Sequence, residues 1–327
     1  MKFGVSYFGN RIFEHVREDF LRLWDMGFDI LVHTYSENDF AFYRETMSEL
    51  INYGSDMGFE NWVDPWGWGG VFGGEAFSGF LQMNPKEGQV NNLGEYTGGV
   101  CFLSRMFRDR MKEWIDAVAD TEADAIFWDE PHFQMNTVDF PKEWTCRCER
   151  CRSAFEERYG YPMPEVYNDD VSEFRSESVR DFFEEMTSYA KEKGLKNVLC
   201  FLPIESDSFG IRDYEALVRL ETIDNVGSDP YWLAFDKPLK EFVGSASERI
   251  LDLSKRHGKD HHLWIQAFKI PKGKEEELKI AYEIAKEKGI STILFWGVYA
   301  CKHMSHIAPD DPERVWETVR KILDATL

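Results

Sequence analysis

Apolar residues along this chain fall into short unbroken runs, separated by longer stretches in which they recur every three or four positions. The runs cover 3–8, 29–34, 61–64, 125–129, 197–202, 225–228, 262–268 and 292–296. Unbroken rather than alternating runs are what parallel strands covered on both faces require. Between the runs, Met111, Trp114, Ile115 and Val118 fall on one helical face. The segment 171–193 stops at Gly194 and the segment 275–288 at Gly289, where glycine permits the left-handed backbone that closes a helix. Asp311-Pro312-Glu313 opens the last helix with a capping acid and a proline in the first turn. Eight strand–helix units in a chain of 327 residues predict an α/β fold, a (β/α)8 barrel forming a single domain over 1–327. An open doubly wound sheet is the competing topology, but no G-x-G-x-x-G follows the first strand.

The segment 66–99 breaks the rhythm, with glycine at 67, 69, 70, 73, 74, 79, 88, 94, 98 and 99. A long irregular loop in a compact domain is usually functional. It follows the third strand, so in a barrel it lies over the catalytic face. Composition narrows the partners. The net charge of −21 argues against nucleic acid, whose phosphates need a basic surface, and equally disfavours anionic membranes. The first residues read at once as a strand and no run of 18 apolar residues occurs, which predicts a soluble, cytoplasmic protein. Six cysteines in such a chain read as metal ligands or buried thiols rather than a disulfide framework. Eleven tryptophans are more than a core needs, since each indole N–H wants a partner, and flat rings suit sugars.

In a barrel the site lies at the C-terminal ends of the strands. Those ends supply Tyr7; His33 and Glu37; Asp64, Trp66 and Trp68; Asp129, Glu130 and His132; Glu205 and Asp207; Asp229, Tyr231 and Trp232; Gln266; and Trp296 and Tyr299. Acids and aromatics dominate, with no serine elbow and no histidine triad. Two carboxyl groups flanking a bond between aromatic walls is the inventory of glycoside hydrolysis. Acids in such places also cap helices, which would account for Glu37 or Asp207. Glu130 is bracketed by Pro131 and aromatic residues, and His132 reads as a structural or substrate-bonding histidine. Cys146, Cys148 and Cys151 have the close spacing of a tetrahedral thiolate site, which suits Zn²⁺. Cys101 is the candidate fourth ligand, because Cys200 and Cys301 belong to later strands.

Asp129-Glu130-Pro131 resembles the Asn-Glu-Pro at the end of strand four in clan A glycoside hydrolases. The order Cys101…Glu130…Cys146-x-Cys148-x2-Cys151 is similar to that of the zinc-bearing β-galactosidases of glycoside hydrolase family 42, over about residues 95–165. That resemblance implies Glu130 as general acid/base beside a structural zinc held by four cysteines. Two departures stand against it: Asp129 replaces asparagine, and Gln266 stands where the family's nucleophilic glutamate would be. Adjacent Asp129-Glu130 also resembles the substrate-assisted N-acetylhexosaminidases, which need no protein nucleophile. Asp129 with Asp229 is similar to the strand-four and strand-six pair of clan D α-galactosidase-like barrels.

The combined reading is a saccharide-processing hydrolase. Glu130 is expected to be the proton donor with a raised pKa, Asp129 or Asp229 its partner, and Gln266 no nucleophile. Tyr7, His33, Asp64, Trp66, Trp68, His132, Glu205, Tyr231, Trp232, Gln266 and Trp296 are expected around the sugar. A catalytically silent saccharide-binding barrel is the reading from another class. A homo-oligomer is compatible with everything above.

Overall fold

The computed structural model describes residues 1–8, 10–134 and 139–325. Eight parallel strands close into a barrel: β1 (Lys2–Tyr7), β2 (Ile30–Thr34), β3 (Glu60–Asp64), β6 (Ala125–Asp129), β7 (Lys196–Phe201), β8 (Asn225–Ser228), β9 (Asp260–Gln266) and β10 (Thr292–Trp296). Each pairs with its neighbour in sequence around the ring, and β10 closes it on β1, with Lys2 opposite Thr292. The (β/α)8 barrel expected from the apolar runs is what the chain forms, every strand lying within two residues of its expected bounds. The segment 66–99 is less irregular than its glycines suggest. It holds a short helix, Gly79–Met83, and an antiparallel hairpin of β4 (Gly88–Val90) and β5 (Tyr96–Val100).

Two apolar layers explain the unbroken runs. One phase of each strand faces the helices. Met111, Trp114, Ile115 and Val118 on the helix Arg105–Ala119 are all fully buried there. The other phase fills the barrel with Ile30, Val32, Trp62, Phe127, Trp264 and Leu294. Gly4 and Gly227 make that filling possible, since a Cβ on either would meet Leu294 or the His262 ring at 2.2 Å. Trp62 and Phe127 meet the ring of His262 edge-on at 5.5 and 5.7 Å, so the barrel interior is a plug of aromatic side chains rather than a pore. Helix ends follow the sequence signals. Asn168 caps Asp169–Glu192 through the N–H of Val171, Asp311 caps Pro312–Asp324, and Gly289 closes Glu277–Lys288 in the left-handed region. Among the described residues no helix is long and apolar enough to cross a membrane.

Candidate active site and metal centre

With its interior filled, the barrel can offer a site only at its mouth. The interior phase of the strands ends there in Asp64 on β3, Asp129 on β6, Asp229 just past β8, and Trp296 on β10. Glu130 follows Asp129 and would by alternation point away from the mouth. It instead takes φ 40°, a left-handed backbone that costs a side-chain-bearing residue about 1–2 kcal/mol. The turn is held by Glu130 N on Cys200 O at 3.1 Å and by Gly73 N on Asp129 O at 3.0 Å. Gly73 has to be glycine: a Cβ there would lie 2.3 Å from Asp129 Oδ2 and 3.0 Å from Glu130 Oε2. Both carboxyls therefore crowd one piece of backbone from the long β3–β6 segment. Glu130 stays partly exposed, whereas Asp64 and Asp229 are buried and Asp129 nearly so.

Burial raises the carboxyl of Asp64, and the charges of Asp129, Glu75 and Glu130 add to it. Asp129 is raised by burial and then by Glu130 and Glu75. Asp229 is raised by burial and by Glu130, whose carboxyl is within hydrogen-bonding reach. Neither oxygen of Asp64, nor Oδ1 of Asp229, has a hydrogen-bond partner among the described residues. Among the described residues no cation offsets the charge of these three. Three buried aspartates with raised carboxyls thus surround Glu130. Phe127 faces the barrel interior and Trp128 the helices. Tyr231 lies beside Asp229, its phenol raised by burial and that charge. His132 sets its ring Nδ1 against the carbonyl of Glu130. Trp66 is half-exposed and stacked on Phe8 at 6.1 Å, and Trp296 also stacks on Phe8, at 5.7 Å. Glu75 was not foreseen. It sits on the exposed rim, where the protein atoms beneath push its carboxyl up and Lys269 pulls it down.

Several expected sugar contacts lie elsewhere. Tyr7 and His33 are on the outward phase of β1 and β2. The Tyr7 hydroxyl donates to Asp19 at 2.8 Å and His33 Nε2 meets Asn61 Oδ1 at 2.8 Å, both rings packing on Phe20. Burial pushes the His33 pKa down to about 4. Trp68 is fully buried among Phe40 and Trp114, its indole N–H donating to Tyr35 O at 2.8 Å. Trp232 is tied down by Glu277 at 2.7 Å. Glu205 is exposed and paired with Arg249 at 2.7 Å. Gln266 points inward, but its oxygen accepts from Leu233 N and its amide donates to Phe268 O, so both ends serve the backbone.

The second cluster is of thiols. Sγ atoms of Cys101, Cys146, Cys148 and Cys151, all buried, lie within 4.8 Å of one another. Cys101 is 3.5 Å from Cys151 and 3.6 Å from Cys148. A tetrahedral ion with metal–sulfur bonds of about 2.3 Å needs sulfur–sulfur edges of about 3.8 Å, so the four thiols fit a metal ion. Two arginines face them. Arg150 lies by Cys101 and Cys148, while the buried Arg175 lies by Cys146. Arg175 donates to the carbonyls of Thr145, Asp207 and Ser208 and to the Tyr167 hydroxyl, with its guanidinium 4.7 Å over the ring of Phe133. Phe133 N is bonded to Phe209 O at 2.9 Å. One cation thus joins the cysteine loop, the loop after β7 and the segment that leaves Glu130.

No family model matches the chain, and none of the curated proteins matches it. Solved structures do. An endo-1,4-β-D-mannanase from Thermotoga petrophila RKU-1 superposes with TM-score 0.58 at 13% identity, over 99% of both chains. An endo-1,4-β-mannanase from Rhizomucor miehei gives 0.60 at 10%, over 98% of this chain and 94% of its own. The 3-keto-D-glucoside 4-epimerase YcjR from E. coli gives 0.51 at 13%, over 99% of both. At these identities the likeness is one of fold, the same closed parallel barrel.

Proposed function

We propose that the chain is a glycoside hydrolase in which Glu130 delivers the proton to the departing sugar oxygen. The observation that carries this reading is the left-handed turn at Glu130. It puts a partly exposed carboxyl among three buried aspartates at the mouth of the barrel, the inventory a glycosidic bond needs. The glycoside hydrolases among the structural neighbours agree with it. Asp229 stands beside Glu130 rather than across a sugar from it. Paired carboxyls act from about 5–5.5 Å in retaining enzymes and roughly 6.5–9.5 Å in inverting ones, whereas these two are within hydrogen-bonding reach. Asp229 is better read as the partner that shares and replenishes the proton of Glu130. With both ends of Gln266 occupied, β9 offers no nucleophile. Attack at the anomeric carbon then falls to water, or to a 2-acetamido oxygen of the substrate itself. The adjacency of Asp129 and Glu130 favours the second route as an alternative within the same reading.

The test is turnover of aryl glycosides with and without a 2-acetamido group, by wild type and Glu130→Gln. Loss of about 10²–10⁴-fold in the variant is expected on poor leaving groups. Full activity there would end the reading, and sugar binding without turnover in wild type would make the chain a binding protein. We also infer that the metal is zinc. Four thiolates leave no open position, so its part is structural. One equivalent of zinc per chain in the purified protein is the expected result.

A further inference from the structure

A groove of about 1080 Å³ leaves the mouth on the side of β2 and β3, with Trp66 and Glu75 at its inner end. Trp66 N donates to Asp64 O at 2.8 Å, so the groove's Trp66 stands directly beside the buried acid that ends β3. Its walls are braced. Glu37 accepts from Gly69 N at 2.9 Å, Ser78 Oγ at 2.8 Å and Phe80 N at 2.6 Å, which holds the long β3–β6 segment to the helix after β2. Arg11 grips Asp39 with two bonds of 2.7 and 2.9 Å, and this pair also lines the groove. The outer end is aromatic: Phe42 and Phe77 line it and are 77% and 89% exposed. Flat apolar faces interleaved with amides and a fixed ion pair suit sugar rings, which present C–H faces and hydroxyl edges.

Building on the glycosidase reading, we propose that this groove holds further units of a sugar chain on one side of the bond to be cut. The substrate is then an uncharged oligo- or polysaccharide rather than a small glycoside. Size supports a chain, because one sugar needs little more than the low end of ordinary ligand pockets, about 300 Å³. Charge supports a neutral one. Glu37, Asp39 and Glu75 line the groove, while Arg11 is spent on Asp39 and Arg110 on Phe40 and Glu113, so uronate or sulfate groups would be repelled.

The experiment uses the full chain and neutral manno-, cello- and N-acetylchito-oligosaccharides from disaccharide to hexasaccharide, beside aryl monoglycosides. In at least one series kcat/KM is expected to climb by about tenfold or more with chain length. Phe42→Ala with Phe77→Ala should remove most of that climb, through KM, at an unchanged melting temperature. A flat length dependence in a protein that does hydrolyse aryl glycosides overturns the groove assignment and leaves the glycosidase reading standing. So does a steep dependence that the double variant retains. Failure to cleave any glycoside overturns the reading beneath it.

Discussion

Two clusters of polar groups, linked through Arg175 and the Phe133 ring beneath it, are treated oppositely. The four thiols are closed in: Arg150 and Arg175 stand against them, and Arg175 places its N–H groups on three carbonyls and a hydroxyl. A dication bound by four thiolates carries a net double negative charge, which two arginines are placed to balance. The carboxyls are left open. Asp64, Asp129 and Asp229 are crowded together with no cation, and buried oxygens go without partners. Closed charge holds loops in place, while crowded carboxyls without a cation hold their protons to higher pH, as proton-transfer groups must. On the function proposed above, the thiols serve architecture and the carboxyls chemistry.

The contrast breaks first at the metal. Apparent binding free energies of structural zinc run to roughly 10–16 kcal/mol, so Cys146→Ser or chelation should release the ion and lower the melting temperature by more than about 10 °C. A metal-free protein of unchanged melting temperature would mean the thiols are merely buried. Arg175→Met comes next. It strands the carbonyls of Thr145, Asp207 and Ser208, at about 1–3 kcal/mol for each group left unsatisfied. Stability and metal retention should both fall. Turnover should fall too, although Arg175 sits behind Phe133 rather than in the mouth. Melting curves, metal content and kcat measured on the same preparation check all three.

Much of this is legible in the sequence, and what is not has a common cause. The eight runs, the caps and the cysteine spacing are local signals, and each was read from neighbours in sequence. Strand ends without strand phase misplace Tyr7 and His33. Gly4 and Ser6 face inward on β1, as do Ile30 and Val32 on β2, so alternation turns residues 7 and 33 toward the helices. Trp66 and Trp68 differ for a related reason, since the left-handed turn at Gly67 sends one ring to the groove and the other into the core. Arg175 could have been found. It shares a helical stripe with Val171, Ser178, Val179 and Phe182, a face that an arginine occupies only when its charge is needed inside. Glu75 and the bend at Glu130 had no sequence signal, because both depend on how the long β3–β6 segment folds back over the mouth.

Asp229→Asn sharpens the comparison with an effect of opposite sign. A carboxyl raised on folding keeps a proton that the unfolded chain has already released, so it subtracts stability once the pH exceeds the ordinary carboxylate value of about 3.9. Removing its charge should abolish most turnover and yet raise the melting temperature at neutral pH by about 2 °C or more. The gap should close as the pH falls toward about 4, where both proteins carry a neutral group. Buried His33 and His262, pushed down to about 4 and about 3, destabilise both proteins alike below about pH 6.5 and cancel in the difference. A variant less stable than wild type at neutral pH would place Asp229 among the structural acids.

The smallest expected effect tests where the open cluster ends. Glu205 follows β7, as Asp129 ends β6 and Asp229 follows β8, and its place in the sequence made it a candidate sugar ligand. It is exposed, and its Arg249 partner also reaches Asp213 at 3.4 Å and Asp252 at 3.7 Å. Exposed ion pairs contribute about 0–1 kcal/mol, and here the arginine keeps two other acids when one is lost. Glu205→Gln should therefore shift the melting temperature by no more than about 1 °C and leave kcat and KM within about twofold on any substrate that wild type cleaves. Its effect should shrink further with added salt, since nothing shields the pair from ions. A KM raised several-fold, insensitive to salt, would bring the loop after β7 into the sugar site and extend the open cluster beyond the acids that crowd Glu130.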